Sequence, residues 1–150
     1  MNIEKGLERG VLYIVATPIG NNDDMSSRAR EILIACDRVA AEDTRRAARL
    51  LAELGGNRHK LISLHEHNEH KLVDYLVGEL VMGASVALVS DSGTPLLSDP
   101  GYRLVNAASS SGISIRPIPG PSSIIAALSV CPLPAHAGAA RGDRKDEVQA

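Results

Sequence analysis

Five short apolar runs along the chain alternate with segments whose apolar residues return every three or four positions. Val11 to Ala16 is apolar and β-branched on both faces, the pattern of a strand covered from both sides. Ser26 to Cys36 then places Ala29, Ile32, Leu33 and Cys36 on one helical face, with Ser26 or Asp24 as cap. Val39 to Ala41 reads as a short strand. Thr44 to Leu54 reads as a second helix, with Ala47, Leu50, Leu51 and Leu54 inward and Gly55 and Gly56 as its stop.

The alternation continues with a strand over Leu61 to Leu64. A helix over Glu69 to Met82 turns Leu72, Tyr75, Leu76 and Leu80 inward, and Gly83 ends it. Ser85 to Ser90 is the strongest strand. Pro100 to Ser110 is a helix opened by proline and closed at Gly112; Ile113 to Ile118 is a strand and Ser122 to Val130 a helix. Five strand–helix units in succession predict an α/β fold: an open five-stranded parallel sheet with right-handed crossovers and helices on both faces. We expect residues 1–10 to be an N-terminal extension and 11–134 the α/β domain. From Ala135 to Ala150 the chain is Ala, Gly and charge with Val148 its one large aliphatic residue, and a disordered tail is expected there.

The 150 residues amount to one domain, 44% hydrophobic and 23% charged. Three tyrosines and no Phe or Trp leave an aliphatic core and no platform for stacking single-stranded bases. The formal net charge of -2 excludes polyanion binding by bulk charge, although Ser26 to Lys60 holds eight basic against five acidic residues. Cys36 and Cys131 have no spacing that suggests a disulfide framework or a zinc site. The charged first ten residues lack the apolar core of a signal peptide, and no apolar run approaches the roughly 20 residues of a membrane span. A cytoplasmic protein without a membrane partner is the expectation.

Parallel sheets bind ligands beyond the carboxyl ends of their strands, where Gly, Pro and small hydroxyl residues collect here. Thr17 to Ser26, Asp91 to Gly101 and Pro119 to Ser123 are three such loops, and together they favour a nucleotide-like ligand over simple tight turns. None is a phosphate loop or a dinucleotide fingerprint. Proline-rich turns offer carbonyls rather than N–H donors, which suits a ligand with a positive or neutral centre. His65, Glu66, His67 and His70 miss the zinc-helix spacing and read as a structural or substrate-facing loop, with no metal. Glu42 and Asp43 fit either chemistry or helix capping. Arg45, Arg46 and Arg49 form either a solvated face or one that meets phosphate, with Arg45 and Arg49 one turn apart.

Taken in order, five segments resemble the ribosomal RNA small subunit methyltransferase I family of the tetrapyrrole methylase-like superfamily. They are Leu12 to Asn21, Ala41 to Arg45, Ser63 to Glu69, Ser90 to Arg103 and Pro117 to Ser122. The resemblance runs from about Gly10 to Pro134. It implies the N-terminal domain of the tetrapyrrole methylase fold, S-adenosylmethionine as cofactor, and 2′-O-methylation of a cytidine ribose in the decoding region of small-subunit ribosomal RNA. It further implies that Pro18, Asp91, Ser92, Gly93, Thr94, Pro121, Ser122 and Ser123 line the cofactor side. Arg45, Arg46 and Arg49 would meet RNA backbone. A base for the ribose proton is sought among Glu42, Asp43, His65, Glu66 and His67. A homodimer is expected for the full-length family.

Departures from the family pattern are Asn22 for Leu, Ser27 for Pro and Ser92 for Ala. After Leu133 and Pro134 the family continues into a second domain, where this chain carries Ala135 to Ala150 instead. The expectation is therefore a truncated member, or one read out of frame near position 131. The alternatives are a non-catalytic α/β domain and a methylase of tetrapyrrole precursors.

Overall fold

A computed structural model describes residues 7–65, 67–95 and 101–132. Five parallel strands, β1 (Val11–Val15), β2 (Arg38–Ala41), β3 (Leu61–Ser63), β4 (Val86–Val89) and β5 (Ser114–Ile118), stand in the order β3-β2-β4-β1-β5. The intervening helices are α1 (Ser27–Ala35), α2 (Thr44–Glu53), α3 (Glu69–Val81) and α4 (Tyr102–Ser110), and α5 (Ser123–Ser129) follows β5. Boundaries differ from the sequence reading by one or two residues. Ser26 is the cap of α1, its side chain accepting the Ala29 N–H at 3.2 Å, so of the two candidates Asp24 is not the cap. Pro100, Pro134 and the tail 135–150 lie outside the described residues.

The strand order explains the two layers. The chain moves outward from β1 to β2 to β3, then returns to place β4 between β2 and β1, and finally crosses β1 to reach β5. Crossovers of one hand must lie on opposite faces when the direction reverses. Accordingly α1 and α2 pack with Val11, Tyr13, Val15, Val39, Ala41, Ala87 and Val89 on one face. On the other, α3 and α4 pack with Leu12, Ile14, Ala40, Val86 and Leu88. Both faces of β1, β2 and β4 are thus covered, which is why these strands read as unbroken apolar runs.

The helices bury the faces that their spacing predicts, with one exception. In α3 the buried residues are Glu69, Val73, Leu76 and Leu80, whereas Tyr75, expected inward, is exposed. Its hydroxyl lies 3.5 Å from the Arg38 guanidinium, which also pairs with Glu79 at 3.1 Å, so the ring stands over the surface with its polar end in a charged cluster. The helix α5 buries no residue and exposes Ile124, Ile125 and Leu128.

Two polar devices tie the amino ends of the strands. Lys60 is buried, and its ammonium donates to the carbonyls of Leu33, Ile34 and Cys36, closing the C-terminal end of α1 with a full charge. Asp37 accepts both the N–H and the hydroxyl of Ser85, at 2.7 and 2.8 Å, joining the starts of β2 and β4. Those hydrogen bonds hold its carboxyl below its ordinary pKa.

Replacing Lys60 with Met keeps the stem but strands three carbonyls. A loss of about 1–3 kcal/mol in urea denaturation is expected, and an unchanged midpoint would refute this role. The Asp37 contribution is complete above the unfolded carboxylate pKa of about 3.9 and is lost as pH falls through the lower folded value. Asp37→Asn should therefore lack that part of the acid sensitivity, as urea midpoints at neutral and acid pH would show.

Candidate functional site

At the carboxyl edge the central strands deliver three connections to one place. The chain leaving β1 pairs with the chain leaving β4: Thr17 donates its N–H to Gly93 at 2.8 Å and accepts from the Gly93 N–H at 3.0 Å. The buried Thr17 hydroxyl lies within 3.4 Å of the carbonyls of both Ser90 and Gly93. Thr94 donates its hydroxyl to the Pro121 carbonyl at 3.2 Å, which brings in the connection after β5. Gly93 is at φ +80°, and a Cβ there would lie 3.2 Å from the Ile19 side chain and 3.5 Å from the Pro121 carbonyl. Three loops that are far apart in sequence are thereby joined by hydrogen bonds.

Beside this junction, between the β1 loop and α2, opens a cleft of about 280 Å³. Its lining includes Pro18, Asn22, Asp43, Arg46, Arg49 and Asp91, with Thr17 and Ser90 at its floor. Asp91 organises it. One carboxylate oxygen accepts the N–H of Asp43 at 3.1 Å, where α2 begins, and the other stands 3.9 Å from Arg46 Nε. Across the mouth Asn22 donates to Glu53.

Of the sequence candidates, Pro18, Asp43, Arg46, Arg49 and Asp91 therefore meet in the cleft, and Gly93, Thr94 and Pro121 form the junction next to it. Ser92 is exposed, its carbonyl accepting the Ser90 hydroxyl at 3.2 Å. Ser122 caps α5 through the Ile125 N–H, and Ser123 is the exposed first residue of that helix. Arg45 and Arg49 do not act as one pair. Arg45 turns back onto Asp43 with two contacts of 3.1 Å, while Arg46 and Arg49 line the cleft. The reason is local: Asp43 is the cap of α2 and accepts the Arg45 N–H at 2.9 Å, which draws the Arg45 side chain to it.

That pairing bears on the candidate bases. The Arg45 guanidinium holds the Asp43 carboxyl below its ordinary pKa, so Asp43 is a poor proton acceptor. Glu42 is exposed at the end of β2. His65 and His67 stand at the end of β3 with ring centroids 5.9 Å apart, and neither lines the cleft. Asn68 clamps the His65 backbone by accepting its N–H at 2.9 Å, and His65 Nδ1 is a buried nitrogen without a partner among the described residues. Glu66 lies outside the described residues.

Residues 11–142 match the model of the tetrapyrrole (corrin/porphyrin) methylases. The chain belongs to that family. A uroporphyrin-III-C-methyltransferase from Thermus thermophilus shares its fold with a TM-score of 0.61 at 24% identity, over 84% of this chain and 53% of that one. Curated relatives named ribosomal RNA small subunit methyltransferase I are more similar in sequence. That of Xylella fastidiosa (strain Temecula1) is 54% identical over 127 residues, 85% of this chain and 46% of the relative. Those of Escherichia coli O157:H7 and Vibrio cholerae are 50% and 48% identical, over 84% and 83% of this chain and 44% and 43% of theirs. The chain spans less than half the length of these relatives. Among the described residues, no helix is long and apolar enough to cross a membrane.

Within this methylase fold the polar cleft residues that the sequence reading did not single out are Glu53 and Ser90, whereas Thr17 and Asn22 lie in the first of the three loops it named. Glu53 was accessible in principle, because α2 repeats polar residues at 46, 49 and 53, one face of a helix. Thr17 and Ser90 carry no such pattern, and only the pairing of β1 with β4 brings them together.

Gly93→Ala forces a side chain into the left-handed region and against Ile19. It is expected to destabilise the fold by about 1–2 kcal/mol. Gly78→Ala, mid-helix in α3 with nothing within 4 Å of the added carbon, should instead stabilise by about 0.5–1 kcal/mol. Urea denaturation of both variants separates a strained glycine from a merely flexible one.

Proposed function

We propose that this carboxyl edge binds S-adenosylmethionine and presents its methyl group to the ribose 2′-hydroxyl of a cytidine in the decoding region of small-subunit ribosomal RNA. The observation that carries the reading is the cleft beside the Thr17–Gly93–Pro121 junction, in which carboxylates face two arginines. The relatives' name, ribosomal RNA small subunit methyltransferase I, supports the RNA acceptor. The residues present fit one side of such a cofactor. Asp91, the Ser90 hydroxyl and the carbonyl-rich turns offer acceptors and negative charge to a sulfonium and to sugar hydroxyls.

S-adenosylmethionine, when bound, supplies a methyl group on a positively charged sulfur, an activated carbon open to in-line displacement. What this chain adds is placement. Asp91 is held by the Asp43 N–H, and Gly93, Thr94 and Pro121 by the junction beside Pro18, before any ligand arrives, so little ordering remains to be done on binding. Ser92, Ser122 and Ser123 complete the cofactor side in this reading. Arg46 and Arg49 face the acceptor and meet RNA phosphates, whereas Arg45 is engaged with Asp43. A proton leaving the ribose oxygen is taken up by Glu42, His65, Glu66 or His67; His65 Nδ1 is an open acceptor when the ring is its Nε2–H tautomer. We place this work in the cytoplasm. We assign a homodimer to the full-length family.

A second reading, a non-catalytic α/β domain, is favoured by the lining of the cleft, which holds none of Glu42, His65 and His67. Calorimetric titration with S-adenosylmethionine, followed by transfer of labelled methyl to small ribosomal subunits, distinguishes the two. Saturable binding that Asp91→Ala loses is expected. Binding without transfer supports the second reading, and no binding by a cooperatively melting chain sinks the cofactor assignment. For RNA, Arg46→Ala and Arg49→Ala should each lower the salt dependence of binding by about one unit in the log–log slope, and Arg45→Ala by less. Equal effects at all three would refute the division among them.

A further inference from the structure

Glu53 ends α2 at the mouth of the cleft, exposed to solvent. Arg49 stands one turn before it on the same helix, yet Glu53 takes part in none of the ion pairs among the described residues. Its carboxylate instead accepts the side-chain amide N–H of Asn22 from across the opening. The backbone of Asn22 is fixed independently of that contact. Asn21 caps the short turn Asn22–Asp24 by accepting the Asp23 N–H at 3.0 Å, and the Arg30 guanidinium donates to the Asn22 carbonyl at 2.7 Å. Only the side chain of Asn22 has to turn for Glu53 to become free.

A carboxamide presents a planar NH2 group beside an acceptor oxygen. Cytosine presents the same pairing, its N4 amine beside N3, whereas uracil carries a carbonyl oxygen where that amine stands. Glu53 is therefore occupied by the kind of group that a cytosine edge offers. The exchange is cheap at an exposed position, because water compensates both partners when the hydrogen bond opens. Behind the mouth the walls are aliphatic, from Pro18, Ala47, Leu50 and Val89. The volume of about 280 Å³ is at the small end of ligand pockets, which start at roughly 300 Å³. Apolar walls with a few polar groups at one edge suit a single flat ring.

Position along the sheet separates this end of the cleft from the cofactor side. Glu53 and Arg49 belong to the helix after β2, whereas Pro121, Ser122 and Ser123 follow β5, with β4 and β1 between them. A donor bound toward β5 and an acceptor bound toward α2 would meet over the two central strands. We propose that the α2 end of the cleft is the pocket for the acceptor's base, and that Glu53 selects cytosine over uracil. The Glu53 carboxylate accepts N4–H from cytosine in place of Asn22, while a uracil O4 in that position meets it with partial charge of the same sign. Arg46 and Arg49, earlier on the same helix, hold the adjoining RNA backbone. This inference rests on the reading of a cytidine acceptor given above.

The test titrates the 150-residue chain with cytidine 5′-monophosphate and with uridine 5′-monophosphate, following backbone amides by NMR. Wild type, Glu53→Gln and Asn22→Ala are compared. Both side chains are exposed, so thermal midpoints close to that of wild type are expected. Wild type should bind the cytidine nucleotide about fivefold or more tightly than the uridine nucleotide, the lower end of what a base-edge contact gives. The amide shifts should fall on Ala47 to Glu53. In Glu53→Gln, whose amide turns either an acceptor or a donor to the base, the ratio should fall to about one. In Asn22→Ala the ratio should persist and the cytidine nucleotide should bind more tightly, because its competitor for Glu53 is gone. Equal affinities in wild type, a ratio unchanged in Glu53→Gln, or no binding of either nucleotide overturns the proposal. Repeating the titration at saturating S-adenosylmethionine separates the two ligands. Nucleotide binding that persists beside it supports the placement; competition at α2 assigns this end to the cofactor's adenine and overturns it. If S-adenosylmethionine does not bind while the nucleotides are discriminated, the cofactor reading fails alone and the base pocket stands. Methyl transfer to small ribosomal subunits without nucleotide discrimination leaves the cytidine reading in place and removes Glu53 from it.

Discussion

The organisation of the carboxyl edge depends on the pairing of β1 with β4. These strands are neighbours only because the chain reverses direction after β3 and inserts β4 between β2 and β1. The insertion pairs one edge of β1 and sets the loops that leave the two strands side by side. The parallel ladder runs from Leu12 with Val86 to Ile14 with Leu88, and past the strand ends an isolated antiparallel bridge joins Thr17 to Gly93. The cleft opens where this pairing stops, which is the place that a switch of strand order creates in open α/β sheets.

Charge is spent locally around that point. Asp43 is at once the cap of α2, the partner of Arg45 and, through its N–H, the anchor for Asp91. Three roles at one residue make it a structural hub. They also remove it from the proton chemistry that its position beside the cleft suggests, since a carboxylate held below its ordinary pKa gives a weak base. Arg46 and Arg49 are left facing the cleft. The division of labour among three neighbouring arginines follows from which of them the helix cap captures.

Much of this was legible in the sequence. Val11 to Ala16 and Ser85 to Ser90 announce covered strands because apolar residues on both faces can be stable only between two helical layers. The resemblance in the five loop segments carried the family. The inward face of α3 was read less well. Tyr75 sits at the right spacing, but its hydroxyl and the Arg38–Glu79 pair hold it outside. Strand order was not legible, because periodicity says which residues are covered and not by what. For the same reason Glu69 reads as an ordinary acid at a helix start. Its partners, the Gly101 N–H and Arg103, are 32 and 34 positions away, and only the packing of α3 on α4 brings them within reach.

The exposed helix α5 and the covered strand β1 also differ in when they can form. The Thr17 hydroxyl and its acceptor on Gly93 are separated by 76 positions, and β1 waits longer still for β5. Contacts between residues so distant in sequence are slow to close, because the entropy of the intervening loop is lost before the pairing returns anything. Two helix–strand units, α1–β2 and α2–β3, can assemble earlier from nearer neighbours. The pairing of β1 with β4 and β5, and with it the meeting of the three loops, depends on these distant closures. Hydrophobic consolidation and assembly of the ligand edge are then a single event, so that a chain with its core in place already carries its loops in register.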